Sequence, residues 1–246
     1  MRWPSFQLTI GVLGGAFTIE FLWLGISPAS RSAWVLENLL VVALAVALLL
    51  SWRSFRLSRL SYILILAFLA VHEVGAHHTY SEVPYEEGWH ALVGGSLNER
   101  MGWERNHFDR LVHLLYGLLL TYPIREFYLR VVSVRGIWGY LLPLGFVMAT
   151  SMVYELLEWA AALTFGGDVA HDFVGAQGDI WDAQVDMALA SLGAAIAMLA
   201  TLAVNVALQR DFAAEWAESL RVKGVEPLGE EAVARMLKEQ GERAEP

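Results

Sequence analysis

Six apolar stretches recur along the chain, each close to the ~20 residues that a helix needs to cross a hydrocarbon core of about 30 Å. Their hydropathy places them at about 6–26, 35–52, 58–78, 107–128, 136–165 and 179–208. The polar connections between them are short except at 79–106, and after residue 208 the pattern turns charged and alanine-rich. This predicts an all-α fold: a polytopic membrane helix bundle over 1–208, followed by a charged tail at 209–246 that is partly helical or disordered. Leu228, Val233, Met236 and Leu237 give a weak amphipathic spacing after Pro227, so the tail is expected to be solvated rather than docked. The first stretch follows a single arginine and fits a retained helix better than a signal peptide, although SPA at 27–29 resembles a cleavage site. Trp3, Trp23, Trp34, Trp52, Trp138 and Trp181 fall near the predicted edges, where amphipathic rings anchor a helix at the interface.

Arginines set the expected orientation, because positive loops stay on the cytoplasmic side. Arg53, Arg56 and Arg59 join the second and third spans, and Arg125, Arg130 and Arg135 join the fourth and fifth. The alternate connections are poor in basic residues or, at 79–106, richer in glutamate than arginine. Both termini are therefore expected in the cytoplasm.

Against that background the stretch VHEVGAHHTYSEVPY at 71–85 is out of keeping, since it sets three histidines and two carboxylates at the end of an apolar helix. It has counterparts. The fourth span opens with His107, Asp109, Arg110 and His113, the fifth carries Tyr154, Glu155 and Glu158 in its outer half, and the sixth opens with Asp179, Asp182 and Asp186. Residues three, four and seven apart share a helix face. Glu73, His77 and Tyr80 thus fall on one face, and Asp109, His113 and Tyr116 on another, while His72 lies about 100° or more from His77 on a straight helix. Seven carboxylates at one depth cannot face lipid separately, because each costs about 3 kcal/mol or more unpaired at the membrane centre. They are expected to converge on one outer-leaflet cavity, with Arg100, Arg105 and Arg110 neutralising part of the charge. The 79–106 connection, with Pro84, Gly88, Trp89, Gly94, Gly95 and Trp103, is either a lid on this cavity or an interfacial segment that caps the bundle.

Composition narrows the chemistry. Of the 246 residues 56% are apolar and the formal charge is −9, which excludes a nucleic-acid partner, since that calls for a basic stripe. There is no cysteine, which removes disulfides, iron–sulfur clusters and thiol catalysis. Carboxylates and imidazoles projecting inward from several helices are how two-metal centres are built in bundles. The spacing here is four residues in Glu73/His77 and Asp109/His113, not the Glu-x-x-His of those centres, and HExxH fails at Ala76. Carboxylates would repel haem propionates, and neither Ser81 nor Ser96 sits in a GxSxG context. His107 and His171 read as solvated loop residues.

Two classes of function remain. One is a metal-dependent membrane hydrolase or transferase using one or two divalent ions on a lipid or lipid-linked envelope substrate. In that reading Glu73, Asp109, Glu155 and Asp179 are the catalytic candidates, Tyr80, Arg105, Arg110 and Tyr154 would bind substrate, and His72, His77, His113, Glu158, Asp182 and Asp186 would hold metal. The other is a non-enzymatic protein, a proton-coupled transporter or a scaffold, in which the same residues form a buried polar network. Transport is weakened by the inner half of the bundle, which is expected to offer few ionisable residues besides Glu20 and Glu37.

GAHHTYSEVPY at 75–85, ERNHFDRLVHLLYG at 104–117, YELLEWAAA at 154–162 and GAQGDIWDAQVDM at 175–187 together resemble the YjdF-like bacterial inner-membrane proteins, over about 58–200. The resemblance implies an inner-membrane location and a helical-bundle fold and leaves the reaction open. A weaker similarity, to VanZ-like membrane proteins, rests on Asp109/His113, Glu155 and Asp186. It implies a site on the outer face near the cell envelope.

Overall fold

The computed structural model describes residues 5–167, 177–208, 212–221 and 229–244. Six long helices make the bundle: α1 (Phe6–Leu24), α2 (Arg31–Ser51), α3 (Arg59–His77), α6 (Phe108–Phe127), α7 (Trp138–Phe165) and α8 (Asp182–Leu208). Two short helices, α4 (Tyr85–Val93) and α5 (Leu97–Met101), lie between α3 and α6, and α9 (Phe212–Ser219) and α10 (Glu230–Ala244) follow the bundle. Five of the six are long and apolar enough to cross a membrane. The exception, α6, carries Asp109 and Arg110 at one end and Arg125 and Glu126 at the other. It is nevertheless the central helix, packed on α3, α7 and α8.

Serine starts the first three helices. Ser5, Ser30 and Ser58 each accept a hydrogen bond from a first-turn N–H, which satisfies a donor that the helix itself cannot. At Ser58 the Glu126 carboxylate adds to this, accepting from the Ser58 N–H at 2.9 Å and from the Ser61 hydroxyl at 2.6 Å. A carboxylate there also complements the positive end of the α3 dipole. Glu126 thereby pins the start of α3 to the end of α6, and consecutive long helices run antiparallel. The starts of α2, α6 and α8 and the ends of α1, α3 and α7 share one end of the bundle, called the site end below.

Lipid-facing helices keep large apolar side chains exposed: Trp23, Leu49 and Leu50 are 73–80% open. Hydrocarbon solvates them, so association depends on close packing of small residues. The α6–α8 pair shows this most sharply. A Cβ added at Gly117 of α6 would collide with the Ala190 carbonyl and the Ala194 amide of α8, and one added at Gly193 would collide with the Leu114 carbonyl and Leu118 amide of α6. The two backbones touch because neither position has a side chain.

The tail differs from the solvated expectation along α9. Trp216 packs on Tyr140 with ring centroids 5.9 Å apart, the Gly136 N–H donates to Glu215 at 3.1 Å, and the Trp138 indole donates to the Ser219 carbonyl at 2.9 Å. The Gly136 N–H and the Ile137 N–H, which donates to the Ser219 hydroxyl at 3.2 Å, are thus satisfied at the start of α7, which lacks a side-chain cap of its own. In α10, Val233, Met236 and Leu237 are exposed.

Gly117→Val should destabilise the bundle by about 3 kcal/mol or more, the upper range for overpacking, because backbone rather than a flexible side chain is in the way. Gly145→Ala, with open space around it, should not. Thermal unfolding of both variants in detergent checks the contrast.

Candidate functional site

At the site end lies a cavity of about 360 Å³ walled by α2, α3, α6 and α7. Its polar end is formed by Glu37, His72, Tyr80, Asp109, His113, Tyr154 and Glu158, with Leu157 beside Glu158; further along, Leu44, Phe68 and Leu120 make it largely apolar, interrupted by the hydroxyls of Tyr116, Thr150 and Ser151. The change along the helix axes is from carboxyl and imidazole groups to hydrocarbon with a few hydroxyls.

Asp109 and His113 lie one turn apart on α6, and Asp186 approaches them from α8. One ligand atom from each falls within 4.8 Å of the other two. His113 Nε2 is 3.5 Å from Asp109 and 3.6 Å from Glu155 of α7. Beyond Glu155, its carboxyl and that of Glu158 face one another. Asp186 is 2% exposed, yet its Oδ1, like Oε1 of Glu155, has no hydrogen-bond partner among the described residues. The adjoining part of the wall is a chain of hydroxyls. Tyr154 donates to Glu37 Oε2 at 2.6 Å, and Tyr80 reaches the same oxygen at 3.3 Å while standing 2.8 Å from His72 Nδ1.

A second ionic group closes the site end. Asp179 pairs with Arg105 at 3.3 Å and with Arg110 at 2.6 Å, and Arg105 also pairs with Asp182. Arg110 donates to His107 Nδ1 at 3.1 Å, the His107 ring stacks on Trp103, and Asn106 and Gln177 exchange two backbone–amide hydrogen bonds of 3.1 Å. These contacts latch the 79–106 connection onto the start of α8. Within the connection the Glu86 carboxylate accepts from the Leu97 and Asn98 amides, so α4 and α5 are folded onto one another. The Trp181 N–H, then Arg105 and Arg110, hold the Asp179 carboxyl below the usual carboxylate range. Burial, then Arg110, pushes the His107 imidazole below its usual value.

The expected residues therefore divide. His72, Tyr80, Asp109, His113, Tyr154, Glu155, Glu158 and Asp186 come together, whereas Arg105, Arg110, Asp179 and Asp182 form the latch. Glu73 and His77 do not share a cavity-facing surface with Tyr80. Glu73 is fully buried beside Asn38 and Trp34 of α2 and Glu20 of α1, and the His77 Nδ1–H donates to the Leu24 carbonyl at the end of α1, 2.7 Å away. The reason is that α3 is covered on both sides, by α1 and α2 on one and α6 on the other. A polar residue turned from the cavity meets protein and not lipid.

Tyr80 reaches the cavity by another route than a continued helix. The helix stops at His77, Thr79 and Tyr80 take positive φ angles of 53° and 55°, and the Tyr80 N–H returns to the Gly75 carbonyl at 2.8 Å. The tyrosine ring then lies over Gly75, where any Cβ would meet it. Gly75 thus makes room for Tyr80 rather than bending the helix, and His72 joins the cavity without a bend. Glu37 was expected in the inner half; it sits near the start of α2, at the site end, and so does Glu20 near the end of α1. A glutamate early in LENLLVVALAVALLL, on a span that begins at that end, was the available signal. Nothing in the sequence pointed to the Asn106–Gln177 pair. His171 lies outside the described residues.

Comparison with known proteins bears on the whole bundle. Residues 10–206 match the family DUF2238, described as a predicted membrane protein. The inner membrane protein YjdF of Escherichia coli (strain K12) is 37% identical over 179 residues, covering 72% of this chain and 81% of that protein. No solved structure matches.

Two predictions follow from the geometry. Gly75→Ala should displace the Tyr80 ring and destabilise the protein by about 1–3 kcal/mol, whereas Tyr80→Phe should keep the packing and lose only the hydroxyl contacts; thermal unfolding separates the two. The latch should be pH-dependent. A lowered histidine value means that the neutral form is favoured when folded, so stability is full above about pH 6.5 and falls as pH drops below it. A lowered aspartate value adds a second loss below about pH 3.9. Protease cleavage within 79–106 should rise in these two steps, and His107→Asn should remove the first.

Proposed function

The chain belongs to the DUF2238 family of predicted membrane proteins, and from that premise we propose that it is a metal-dependent enzyme of the bacterial inner membrane acting on a lipid or lipid-linked envelope substrate. The observation that carries the proposal is the Asp109, His113 and Asp186 triad within 4.8 Å, with the buried Asp186 Oδ1 left without a partner. Ligand atoms around one ion at about 2.0–2.2 Å lie about 3–4 Å apart, so small side-chain rotations close the set. Arg105 and Arg110 are engaged with Asp179 and Asp182, and among the described residues the walls of the cavity contain no arginine or lysine. The two guanidiniums also act electrostatically on Asp109, and Arg110 on Asp186, so the charge of Asp109, Glu155, Glu158 and Asp186 is partly offset, and a divalent cation would balance the remainder.

In this reading Asp109, His113 and Asp186 hold the ion, which would supply Lewis acidity and an activated water for hydrolysis or phosphoryl transfer. Two carboxylates and one imidazole suit magnesium or manganese and admit zinc or iron. Glu155, against His113, takes the role of general base, and Glu158 shares its proton. Tyr154 and Tyr80 orient the substrate through Glu37. The arginine asymmetry supports cytoplasmic termini and a site end facing outward, and the relative's printed name supports the inner membrane.

The facing carboxyls of Glu155 and Glu158 favour a second reading, a proton-coupled or structural network, since such a pair can share a single proton. Tyr116, Thr150 and Ser151, which line the inner part of the cavity with the Tyr116 and Thr150 hydroxyls 2.6 Å apart, also favour this second reading, whereas the Leu44, Phe68 and Leu120 side chains around them favour the enzyme.

Protein purified at neutral pH should contain stoichiometric divalent metal by elemental analysis and lose it in an Asp109→Ala/Asp186→Ala variant. At a free metal concentration of 100 Kd the ion should contribute about 3 kcal/mol, seen as a fall in unfolding temperature on chelation. Absent metal together with unchanged stability in chelator would overturn the proposal. Glu155→Gln should abolish turnover in the enzyme reading and only shift pH dependence in the network reading.

A further inference from the structure

We propose that the cavity opens sideways to the bilayer between α2 and α7, and that it admits one hydrocarbon chain of a lipid whose uncharged, hydroxyl-bearing head stops at Glu37 and Tyr154. The proposal rests on the reading of the site as one that acts on lipid. Leu40 of α2 and Val153 and Leu157 of α7 line the cavity and yet are 54%, 48% and 53% exposed. A residue can do both only at a gap in the wall. The packing explains the gap: α2 is held by α3 and α7 by α6 and α8, with α2 and α7 on opposite sides of the space. Among the described residues the hydrogen bond joining α2 to α7 is Tyr154 to Glu37, at the polar end.

The slot has the shape of one chain. Leu40 and Leu44 are four apart on α2, Val153 and Leu157 four apart on α7, and each pair forms a row along its helix. Phe68 and Leu120 close the back. A volume of about 360 Å³ is near the lower end of the range for small-molecule pockets, about 300–1,000 Å³. The latch holds the site end next to Asp109 from the water side, so the route that needs no unlatching is through lipid.

The polar end selects the head. Glu37 is 4% exposed and accepts from two tyrosines, and among the described residues the cavity wall has two imidazoles and three carboxyl groups but no arginine or lysine. A free carboxylate head would meet acidic groups with nothing to pair it, whereas a hydroxyl can donate to Glu37, both tyrosines being bonded to the Oε2 of that carboxyl. Glu37 is in this account a positioning residue.

Photolabelling in vesicles tests the proposal. A monoacylglycerol with a diazirine along its chain, irradiated with the purified protein, should leave adducts on Leu44, Phe68 and Leu120 by mass spectrometry. A fatty acid with the same chain should label them several-fold less. Leu157→Trp or Leu40→Trp should cut interior labelling several-fold, while Leu163→Trp, on the exposed face of α7, should leave it unchanged. Adducts confined to lipid-facing positions such as Leu49 and Leu163 in the wild-type protein would overturn the portal, and equal labelling by the fatty acid would overturn the head-group assignment. Labelling needs no metal. Interior adducts on a protein that elemental analysis finds metal-free would retain the portal and remove the cation, and a metal-loaded protein that excludes the probe would do the reverse.

Discussion

The backbone contact between α6 and α8 at Gly117 and Gly193 is the constraint on which the site depends. In a bilayer the helices gain little from hiding apolar surface from lipid, and their spacing is set by what lies between them. Here nothing lies between them. One turn before Gly117 is His113, one turn further is Asp109, and two turns before Gly193 is Asp186. Because α6 and α8 run parallel, those steps lead to the same end. The glycine crossing therefore brings an aspartate–histidine pair from one helix against an aspartate from the other, at a separation that two larger residues would not allow.

Charge balance divides the polar residues beyond this crossing into two groups. In the latch, Arg105 and Arg110 meet Asp179 and Asp182, two cations for two carboxylates, at the edge of the bundle where water can help. In the cavity and against His113 lie Glu37, Asp109, Glu155, Glu158 and Asp186, with imidazoles as the available bases. Isolated buried charges are too costly to retain. Protons, hydrogen bonds from Tyr80 and Tyr154, and on the proposed reading one divalent ion carry the balance. The apolar half of the cavity then gives that chemistry a lipid to act on.

Much of this was legible in the sequence. The helices fall where the apolar stretches predicted them, because length and hydropathy are local properties that the bilayer enforces. The level shared by His72, Asp109, His113, Glu155 and Asp186 was also legible, since it follows from alternating direction. Helix faces were less so. Spacing put Glu73 and His77 with Tyr80, but α3 is buried on two sides and distributes its polar residues between the cavity and its contacts with α1 and α2. Tyr80 arrives through a chain reversal with two positive φ angles, which no helical period describes. Glu37 was overlooked as a cavity residue although its span begins at the site end. The docking of α9 depends on the unsatisfied N–H groups that start α7, a tertiary relation that tail composition does not reveal.

The central claim, that Asp109, His113 and Asp186 share one divalent cation, is tested most directly by electron spin-echo spectroscopy of the protein loaded with manganese(II). One directly coordinated imidazole nitrogen should modulate the echo in the wild-type protein, and the modulation should vanish in His113→Ala while persisting in His77→Ala and His72→Ala. A manganese signal without nitrogen coupling, or a coupling that survives the loss of His113, would contradict the account.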